Sequence, residues 1–247
     1  KKGYHVLIFM SGNKEGDIAE AVDEILDYQV DGIIAASVSM SSDLAKRCTS
    51  AGVPVVLFNR TQDDDRLSAV TSDNFQGGQK VARFLLAGGH KRIGYIAGWE
   101  GASTQRDREK GFTEELVRNG QELYAREVGN FNSDEARQAA RTMFSKKHFP
   151  DAVFVANDAM AIAVIDVIRF ELGLQVPEQV SVVGYDDVPI SSWPAYDLTT
   201  VRQPANRMVA ETVSILIESI ENKTTTARRI EIDGPLMVRG SAKISDK

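Results

Sequence analysis

Cysteine is almost absent from this sequence, since Cys48 is the single one among 247 residues. One cysteine can form neither an internal disulfide nor a multi-cysteine metal cluster. A chain of this length needs no such staple, because it can bury roughly 70–75% of the surface that its unfolded form exposes. No apolar run approaches the ~20 residues of a membrane-spanning helix. Low cysteine usage fits a reducing cytoplasm, but it also fits bacterial periplasmic proteins that lack disulfides.

An excess of positive charge is also missing, because the formal net charge is -6. A domain that grips nucleic acid by itself is typically basic, since neutralising phosphates supplies most of the non-specific affinity. We therefore do not expect these residues to hold DNA directly. With 43% hydrophobic and 26% charged residues, the composition is that of a soluble globular protein.

The sequence lacks the fingerprints of common catalysts. It contains no G-x-G-x-x-G, no G-x-x-x-x-G-K-[ST] and no G-x-S-x-G. His5, His90 and His148 lie far apart, without metal-ligand spacing. The run Asp63-Asp64-Asp65 indicates a solvated surface loop. We predict neither catalytic residues nor a metal site nor a cofactor.

What is present is a regular alternation of short apolar runs with amphipathic stretches, which is typical of a doubly wound α/β fold. Predicted strands cover 4–10, 32–37, 53–58, 68–72, 92–97, 152–156, 180–185 and 199–203. Predicted helices cover 15–28, 41–50, 74–88, 103–119, 133–147, 158–172 and 205–222. Because eight strands are many for one open sheet, two smaller parallel sheets are favoured. No Pro/Gly/Ser-rich linker separates two halves, so two lobes would share an extensive interface or exchange the chain more than once.

Five predicted strands end in a polar side chain, namely Asn59, Asp73, Asn157, Asp186 and Gln203. Open α/β sheets bind ligands beyond the carboxyl ends of their strands. These residue types also start turns and helices, so each of the five has a structural explanation as well. Convergence of all five would indicate recognition of a hydroxyl-rich ligand. Ser103 and Asp158 are predicted to be helix N-caps.

Two arginines near a predicted helix N-terminus, Arg106 and Arg108, are unusual because the helix dipole disfavours cations there. Their acidic neighbours Asp107 and Glu109 offer a structural explanation. The alternative is that one arginine makes a forked contact with ligand oxygens. Phe131 and Trp99 are candidate platforms for a sugar ring, although such aromatic residues more often serve packing.

Several motifs, in order along nearly the whole chain, resemble the effector-binding core of the LacI/GalR family of bacterial transcription regulators. They are VDGII at 30–34, GVPVVL at 52–57, SDN at 72–74 followed by GG at 77–78, GGHKRIGYIAG at 88–98, REKGF at 108–112, FVANDAMA at 154–161, VPEQVSVVGYDD at 176–187 and LTTVRQP at 198–204. Each motif is weak alone, but the ordered set is highly specific.

The resemblance implies a periplasmic-binding-protein-like fold of two Rossmann-like lobes with three chain crossings. One lobe would combine 1–72 with 204–223, and the other 73–203 with 224–247. The family's DNA-binding helix-turn-helix precedes this core and is absent from these residues. The resemblance further implies that the first strand and helix of the core are missing, because Lys1–Tyr4 resembles the end of that helix. Strand 4–10 would then lose a neighbour.

The resemblance also implies site residues. Arg108 corresponds to the family's most constant effector-binding arginine, and Asp186 and Asn157 match ligand-bonding positions. Asp73, Thr104, Phe131 and Asn59 match variable contact positions, whereas Gln203 would serve a hinge as well as the ligand.

The function implied is that of a cytoplasmic, homodimeric regulator whose core binds a sugar-like effector, with a sugar acid or purine as alternatives, and controls DNA binding through an upstream domain. An extracytoplasmic sugar-binding protein of a transporter is the alternative, and an enzyme on the same scaffold is disfavoured.

Overall fold

The computed structural model describes residues 3–10, 15–38, 41–62, 65–223 and 226–244. Lys1, Lys2, Asp63 and Asp64, on which two of the predictions above fall, lie outside them. The chain divides into two compact units, which are unit 1 (Lys1–Thr71 with Ala205–Glu231) and unit 2 (Ser72–Pro204 with Ile232–Lys247). It therefore passes from one unit to the other three times. Each unit is an α/β assembly around its own sheet.

Unit 1 contains a four-stranded sheet in the order β1-β2-β3-β9. Its elements are α1 (Glu15–Asp27), β1 (Ile33–Ala36), α2 (Ser42–Ser50), β2 (Val55–Phe58), β3 (Ser68–Ser72), α7 (Ala205–Asn222) and β9 (Arg229–Ile232), the ends of β3 and β9 reaching into unit 2. The pairs β1–β2 and β2–β3 are parallel. Apolar side chains of the helices and the sheet, such as Val22, Leu44 and Leu57, form the core together with the buried Cys48.

The predicted strand over 4–10 is wrong, because residues 4–10 have no strand structure and pair with none of the described strands. Three apolar side chains of this run, Val6, Ile8 and Met10, are 82–89% exposed. A strand needs neighbours that satisfy its backbone hydrogen bonds. Within the described residues β1 is the edge of this sheet.

Unit 2 contains a six-stranded sheet in the order β10-β8-β7-β6-β4-β5. Its elements are α3 (Asn74–Ala87), β4 (Ile93–Ala97), α4 (Ser103–Arg118), β5 (Ala125–Val128), α5 (Ser133–Phe144), β6 (Ala152–Val155), α6 (Asp158–Asp166), β7 (Ser181–Asp186), β8 (Thr199–Arg202) and β10 (Leu236–Met237). All pairs are parallel except β10–β8. Strands β4 and β6 are buried throughout, which explains their unbroken apolar sequences.

Three details differ from the sequence predictions. The helix predicted over 158–172 is an α-helix only to Asp166 and continues as a π-helical turn, Val167–Glu171. Strands β5, β9 and β10 were not predicted. Because β9 lies beside β3, residues 226–231 group with unit 1, whereas the prediction placed 224–247 in the second lobe.

Helices α3 and α4 approach each other closely through two glycines. A Cβ atom at Gly78 would lie 2.1 Å from the backbone oxygen of Arg108, and one at Gly111 would lie 2.0 Å from the backbone oxygen of Phe75. Only glycine permits such contact between helix backbones. The contact fixes the part of α4 that carries Arg108 beside the first turn of α3.

Candidate functional site

Arg108 is the centre of a buried polar cluster at the carboxyl ends of the strands of unit 2. Its side chain extends from α4 and the residue is only 2% exposed. Its Nε donates to Oδ1 of Asn74 (2.9 Å), and Nη1 donates to the backbone oxygen of Ala156 (2.5 Å). Nη2 lies 3.5 Å from Oδ1 of Asp186. The guanidinium group is therefore held by α3 and by the ends of β6 and β7, with Nη2 next to a carboxylate.

The ring of Tyr185 forms a platform under this guanidinium group. The Arg108 Cζ atom lies 3.6 Å from the ring centroid, which is within cation–π distance. The Tyr185 hydroxyl lies 3.1 Å from the Ser72 hydroxyl at the end of β3. Burial raises the pKa of Tyr185, so the phenol stays neutral. A neutral ring and a fixed cation define one stable orientation for the Arg108 donors.

Asp186 ends β7 in a backbone conformation that favours glycine, with φ at 124°. Its side chain is 24% exposed and its Oδ1 accepts from Nε2 of Gln203 (2.6 Å). Burial raises the pKa of the Asp186 carboxyl, while Arg108 and Gln203 oppose that rise. Gln203 also donates its backbone N–H to the Asp186 carbonyl oxygen. Asp186 thus brings an acceptor to the same edge at which Arg108 presents donors.

Two other predicted residues act as helix N-caps in the structure. The Asn157 Oδ1 accepts from the backbone N–H of Met160 (3.0 Å), and the Asp73 Oδ1 accepts from that of Gln76 (2.9 Å). The cap leaves the Asn157 amide NH2 without a hydrogen-bond partner among the described residues. Asn157 follows β6 and Asp73 follows β3, and their chain neighbours Ala156 and Asn74 bind Arg108.

Thr104 and Phe131 flank the same edge. Thr104 lies one turn before Arg108 on α4 and is buried. Phe131 follows β5 with φ at 57°, and its ring covers the backbone of Gly98. A Cβ atom at Gly98 would lie 2.2 Å from Cζ of that ring, so glycine is required for this contact. Trp99 lies in the same turn, with its ring beside Gly101.

Asn59 lies in unit 1 and is described there by itself. It follows β2 with φ at 70° and donates from Nδ2 to the Ser37 hydroxyl (2.9 Å) at the end of β1. Its Oδ1 is buried and has no hydrogen-bond partner among the described residues. Of the eight predicted site residues, Asn59 therefore lies in unit 1 and the other seven lie in unit 2, where Asp186, Asn157 and Gln203 stand at the ends of strands.

The structure distinguishes between the two arginines of α4. Arg106 is exposed, and its Nη1 donates to the backbone oxygen of Gly101 (3.2 Å), whereas Arg108 points into the protein. The N-cap predictions for Ser103 and Asp158 are wrong. Ala102 precedes α4 without a side-chain cap, and Asn157 caps α6. Asp158 is fully buried and accepts three hydrogen bonds.

Sequence reasoning missed Asn74, Tyr185 and the Ala156 carbonyl. Asn74 and Tyr185 were in the quoted motifs SDN and GYDD, next to Asp73 and Asp186, but nothing in their spacing indicates contact with Arg108. The whole arrangement offers fixed donors from Arg108 beside fixed acceptors from Asp186. Such alternation suits a neutral ligand that carries neighbouring hydroxyl or amide groups. Within the described residues no group of three or more His, Cys, Asp or Glu side chains could hold a metal ion.

Comparison with known proteins places this geometry in a family. The sequence profile described as "Periplasmic binding protein-like domain" matches residues 82–242. The chain is 30% identical to the HTH-type transcriptional repressor PurR of Pasteurella multocida, over 98% of this chain and 73% of that protein. It is 34% identical to the HTH-type transcriptional regulator CelR of Thermobifida fusca, over 86% of this chain and 63% of that protein.

Solved structures agree with this placement. A CelR–cellobiose complex superposes with a TM-score of 0.81 at 32% identity, covering 90% of this chain and 70% of that one. The lac repressor dimer bound to operator and the anti-inducer ONPF superposes with a TM-score of 0.88 at 25% identity, covering 98% and 84%. The fold and the polar strand ends define a periplasmic-binding-protein-like module. The chain belongs, more narrowly, to the LacI/GalR family of transcription regulators, whose effector-binding core it matches.

Proposed function

We propose that this chain is the ligand-sensing part of a transcription regulator and that it binds a small polar effector at the strand ends of unit 2. The observation that carries the proposal is the guanidinium group of Arg108, fixed by Asn74, Ala156 and Tyr185 and directed at Asp186. A buried arginine held on three sides costs conformational freedom and desolvation, which is typical of a binding site rather than of packing. The remaining N–H groups of Arg108 would donate to effector oxygens.

The effector we propose is a sugar or sugar derivative. Arg108 and Asp186 together can bind two adjacent hydroxyl groups. Arg108 would donate to the oxygen of one hydroxyl, and Asp186 would accept from the other. Phe131 and Trp99 would offer apolar ring faces, and Thr104 and the Asn157 amide would supply further polar groups. Gln203 would contribute through its hydrogen bond to Asp186. Among the relatives, the CelR structure was solved with cellobiose, which supports a sugar for this chain as well. A sugar acid or a purine is the alternative.

A thermal-shift screen tests this proposal directly. The probes are cellobiose, ribose, glucuronate and adenine, which represent two neutral sugars, a sugar acid and a purine. A compound present at 100 times its dissociation constant should stabilise the fold by about 2.7 kcal/mol. We expect the largest shift with a neutral sugar. A shift with adenine alone would replace the sugar by a purine, and the same shift in an Arg108→Met variant would contradict the proposed site.

The relatives are named as transcription regulators, which supports a regulatory role for this chain. We propose a cytoplasmic homodimer that contacts DNA through a helix-turn-helix encoded upstream. An effector can regulate operator binding only if it binds two conformations of the protein with different affinities. A gel-shift assay of the full-length protein should show operator binding that changes with the effector. Operator binding that no effector changes would contradict the regulatory role. Absence of operator binding would favour the second candidate, a solute-binding protein of a transporter, for which the upstream coding sequence should encode a signal peptide.

A further inference from the structure

Asp158 is a buried carboxyl group that the proposed site does not use. It lies in the first turn of α6 and is 0% exposed. Its Oδ2 accepts from the backbone N–H of Val188 (3.0 Å) and from the Ser191 hydroxyl (2.7 Å), and its Oδ1 accepts from the Thr200 hydroxyl (2.6 Å). A Cβ atom at Gly184 would lie 2.3 Å from Oδ1, so the carboxyl group of Asp158 packs directly against the backbone of Gly184. One side chain thus joins α6, β8 and the segment after β7.

The segment after β7 carries Asp186 and is otherwise irregular. Asp186 and Asp187 have consecutive positive φ angles of 124° and 58°, a conformation that non-glycine residues rarely adopt. A short 3-10 helix, Pro189–Ser192, follows and includes Ser191. Such a strained backbone persists only when surrounding contacts determine it. Asp158 holds this segment at Val188 and Ser191, immediately beyond the strained pair.

The charged neighbours of Asp158 are few. Asp186, at the end of β7, carries a charge of the same sign and repels the ionised carboxyl of Asp158. Asp187 forms a separate cluster with Arg202 (2.5 Å) and Arg239 (2.6 Å). Val188, Ser191 and Thr200 carry no charge. Burial, first of all, raises the pKa of Asp158 to about 6, while its three hydrogen bonds oppose that rise and Asp186 adds to it.

The contacts around Asp158 accommodate a proton without loss of hydrogen bonds. A hydroxyl group can donate or accept. When Asp158 is protonated at Oδ1, that O–H can donate to the Thr200 oxygen, while Oδ2 still accepts from Val188 and Ser191. An asparagine can make the same three contacts with Nδ2 in place of Oδ1. An alanine can make none of them and leaves the buried Val188 N–H without its partner.

We propose that Asp158 is a positioning residue that holds the segment carrying Asp186 in its binding conformation, and that it does so more firmly in the protonated than in the ionised state. The sign follows from linkage. Because the carboxyl binds its proton more tightly when buried than when the segment opens to solvent, lowering the pH favours the closed segment. Raising the pH through about 6 therefore promotes opening. The link to effector binding rests on the proposed role of Asp186.

Hydrogen–deuterium exchange of the ligand-free chain tests the proposal without any effector, so its failure is distinguishable from failure of the proposed function. The readout is the protection factor of the peptide covering 186–192, measured from pH 5 to 7.5, with the peptide over β6 as internal reference. With an open-state pKa of about 3.8 and a closed-state pKa of about 6, protection in the native chain should fall about tenfold over this range.

Two variants and a control sharpen the test. Asp158→Asn should keep the protection that the native chain has at pH 5 and should show no pH dependence. Asp158→Ala should lose protection about tenfold or more, because buried donors are left unsatisfied. Glu115→Gln alters another buried carboxyl of unit 2, paired with Arg83 and Arg118, and should leave the pH profile unchanged.

Native protection in Asp158→Ala, or a native pH profile in Asp158→Asn, would overturn the proposal. A profile flattened equally by Glu115→Gln would also overturn it, since the effect would then reflect general destabilisation. If Asp158→Ala does not fold, the pH profile of Asp158→Asn decides alone.

Discussion

The two units are built from the same alternation of strands and helices, yet they differ in how the polar groups at their strand ends are paired. In unit 2 the central strands are enclosed on both faces, and the polar groups at their ends form one connected network around Arg108. In unit 1 the central strands β2 and β3 are buried as well, but among the described residues the Asn59 Oδ1 is buried without a hydrogen-bond partner. We therefore expect the strand ends of unit 2 to be the more rigid.

The sequence provides separate probes for this comparison. Both tryptophans, Trp99 and Trp193, lie in unit 2, so tryptophan fluorescence follows the unfolding of that unit. The single cysteine, Cys48, is buried in unit 1, so its rate of thiol labelling follows the opening of that unit.

The largest effect is expected from adding a methyl group between α3 and α4. In Gly78→Ala the new Cβ would lie 2.1 Å from the Arg108 carbonyl oxygen, and backbone cannot move aside cheaply. We expect a loss of about 3 kcal/mol in the unfolding free energy of unit 2, measured by urea titration of tryptophan fluorescence. The matched change in unit 1, Gly32→Ala, meets the flexible side-chain ends of Leu216 at 2.7 Å and Ile220 at 3.1 Å. It should cost less than about 1 kcal/mol, and equal costs would contradict the contrast.

The next largest effect concerns ion pairs. The Asp187 side chain is 4% exposed and pairs with Arg202 and Arg239. Asp187→Asn keeps a residue type that tolerates positive φ but removes the negative charge. It should destabilise unit 2 by about 2 kcal/mol, because two arginines lose their partner. The loss stays moderate because Arg202 is partly exposed to water. In unit 1 the pair Lys46–Asp43 is largely exposed. Asp43→Asn should change the opening free energy of unit 1, measured from the rate of Cys48 thiol labelling, by less than about 1 kcal/mol. A larger effect in unit 1 than in unit 2 would reverse the comparison.

A smaller effect is expected at the platform beneath Arg108. Tyr185→Phe keeps the ring but removes the hydroxyl that contacts Ser72. The loss of one buried hydrogen bond should cost about 1 kcal/mol by the same urea titration. Because the cation–π contact remains, effector affinity should change little. A loss of binding in Tyr185→Phe would show that the hydroxyl, rather than the ring, serves the site.

The smallest effect is expected from pH at the opposite edge of the sheet. The His90 side chain is 4% exposed, and its Nδ1 lies 3.3 Å from Oδ1 of Asp151. Burial lowers the pKa of His90, although Asp151 opposes this. A base that is harder to protonate when folded stabilises the fold above its unfolded pKa of about 6.5, and that stability is lost as the pH falls. The unfolding free energy of His90→Gln relative to that of the native chain should therefore rise as the pH is lowered from 7.5 to 5.5. A fall in this relative stability would contradict a lowered pKa for His90.

Much of the fold was predictable because its signal is local. All seven α-helices of the described residues were predicted from the alternation of apolar runs and amphipathic stretches, although α6 ends at Asp166. Strand β5 was missed because AREV carries few apolar residues at a sheet edge, and 4–10 was wrong because an apolar run cannot reveal whether a neighbour pairs with it. The two-residue β10 depends entirely on β8.

The candidate site was predictable only in part. Resemblance identified Arg108 and Asp186, but the contacts of Arg108 with Asn74 and Tyr185 join positions 34 and 77 residues away along the chain, so only the fold reveals them. Asp158 illustrates the same limit. Its sequence context predicts an N-cap, yet its partners Val188, Ser191 and Thr200 come from segments about 30 to 40 residues later.

The most direct test of the central claim is calorimetric titration of the native chain and of two arginine variants with the compound that gives the largest shift in the screen. Arg108→Met should weaken binding by about 100-fold or more, because it removes the buried donors and leaves the Asp186 carboxylate without its cationic neighbour. Arg106→Met changes an exposed arginine of the same helix and should bind as the native chain does. Native affinity in Arg108→Met, or an equal loss in both variants, would contradict the account.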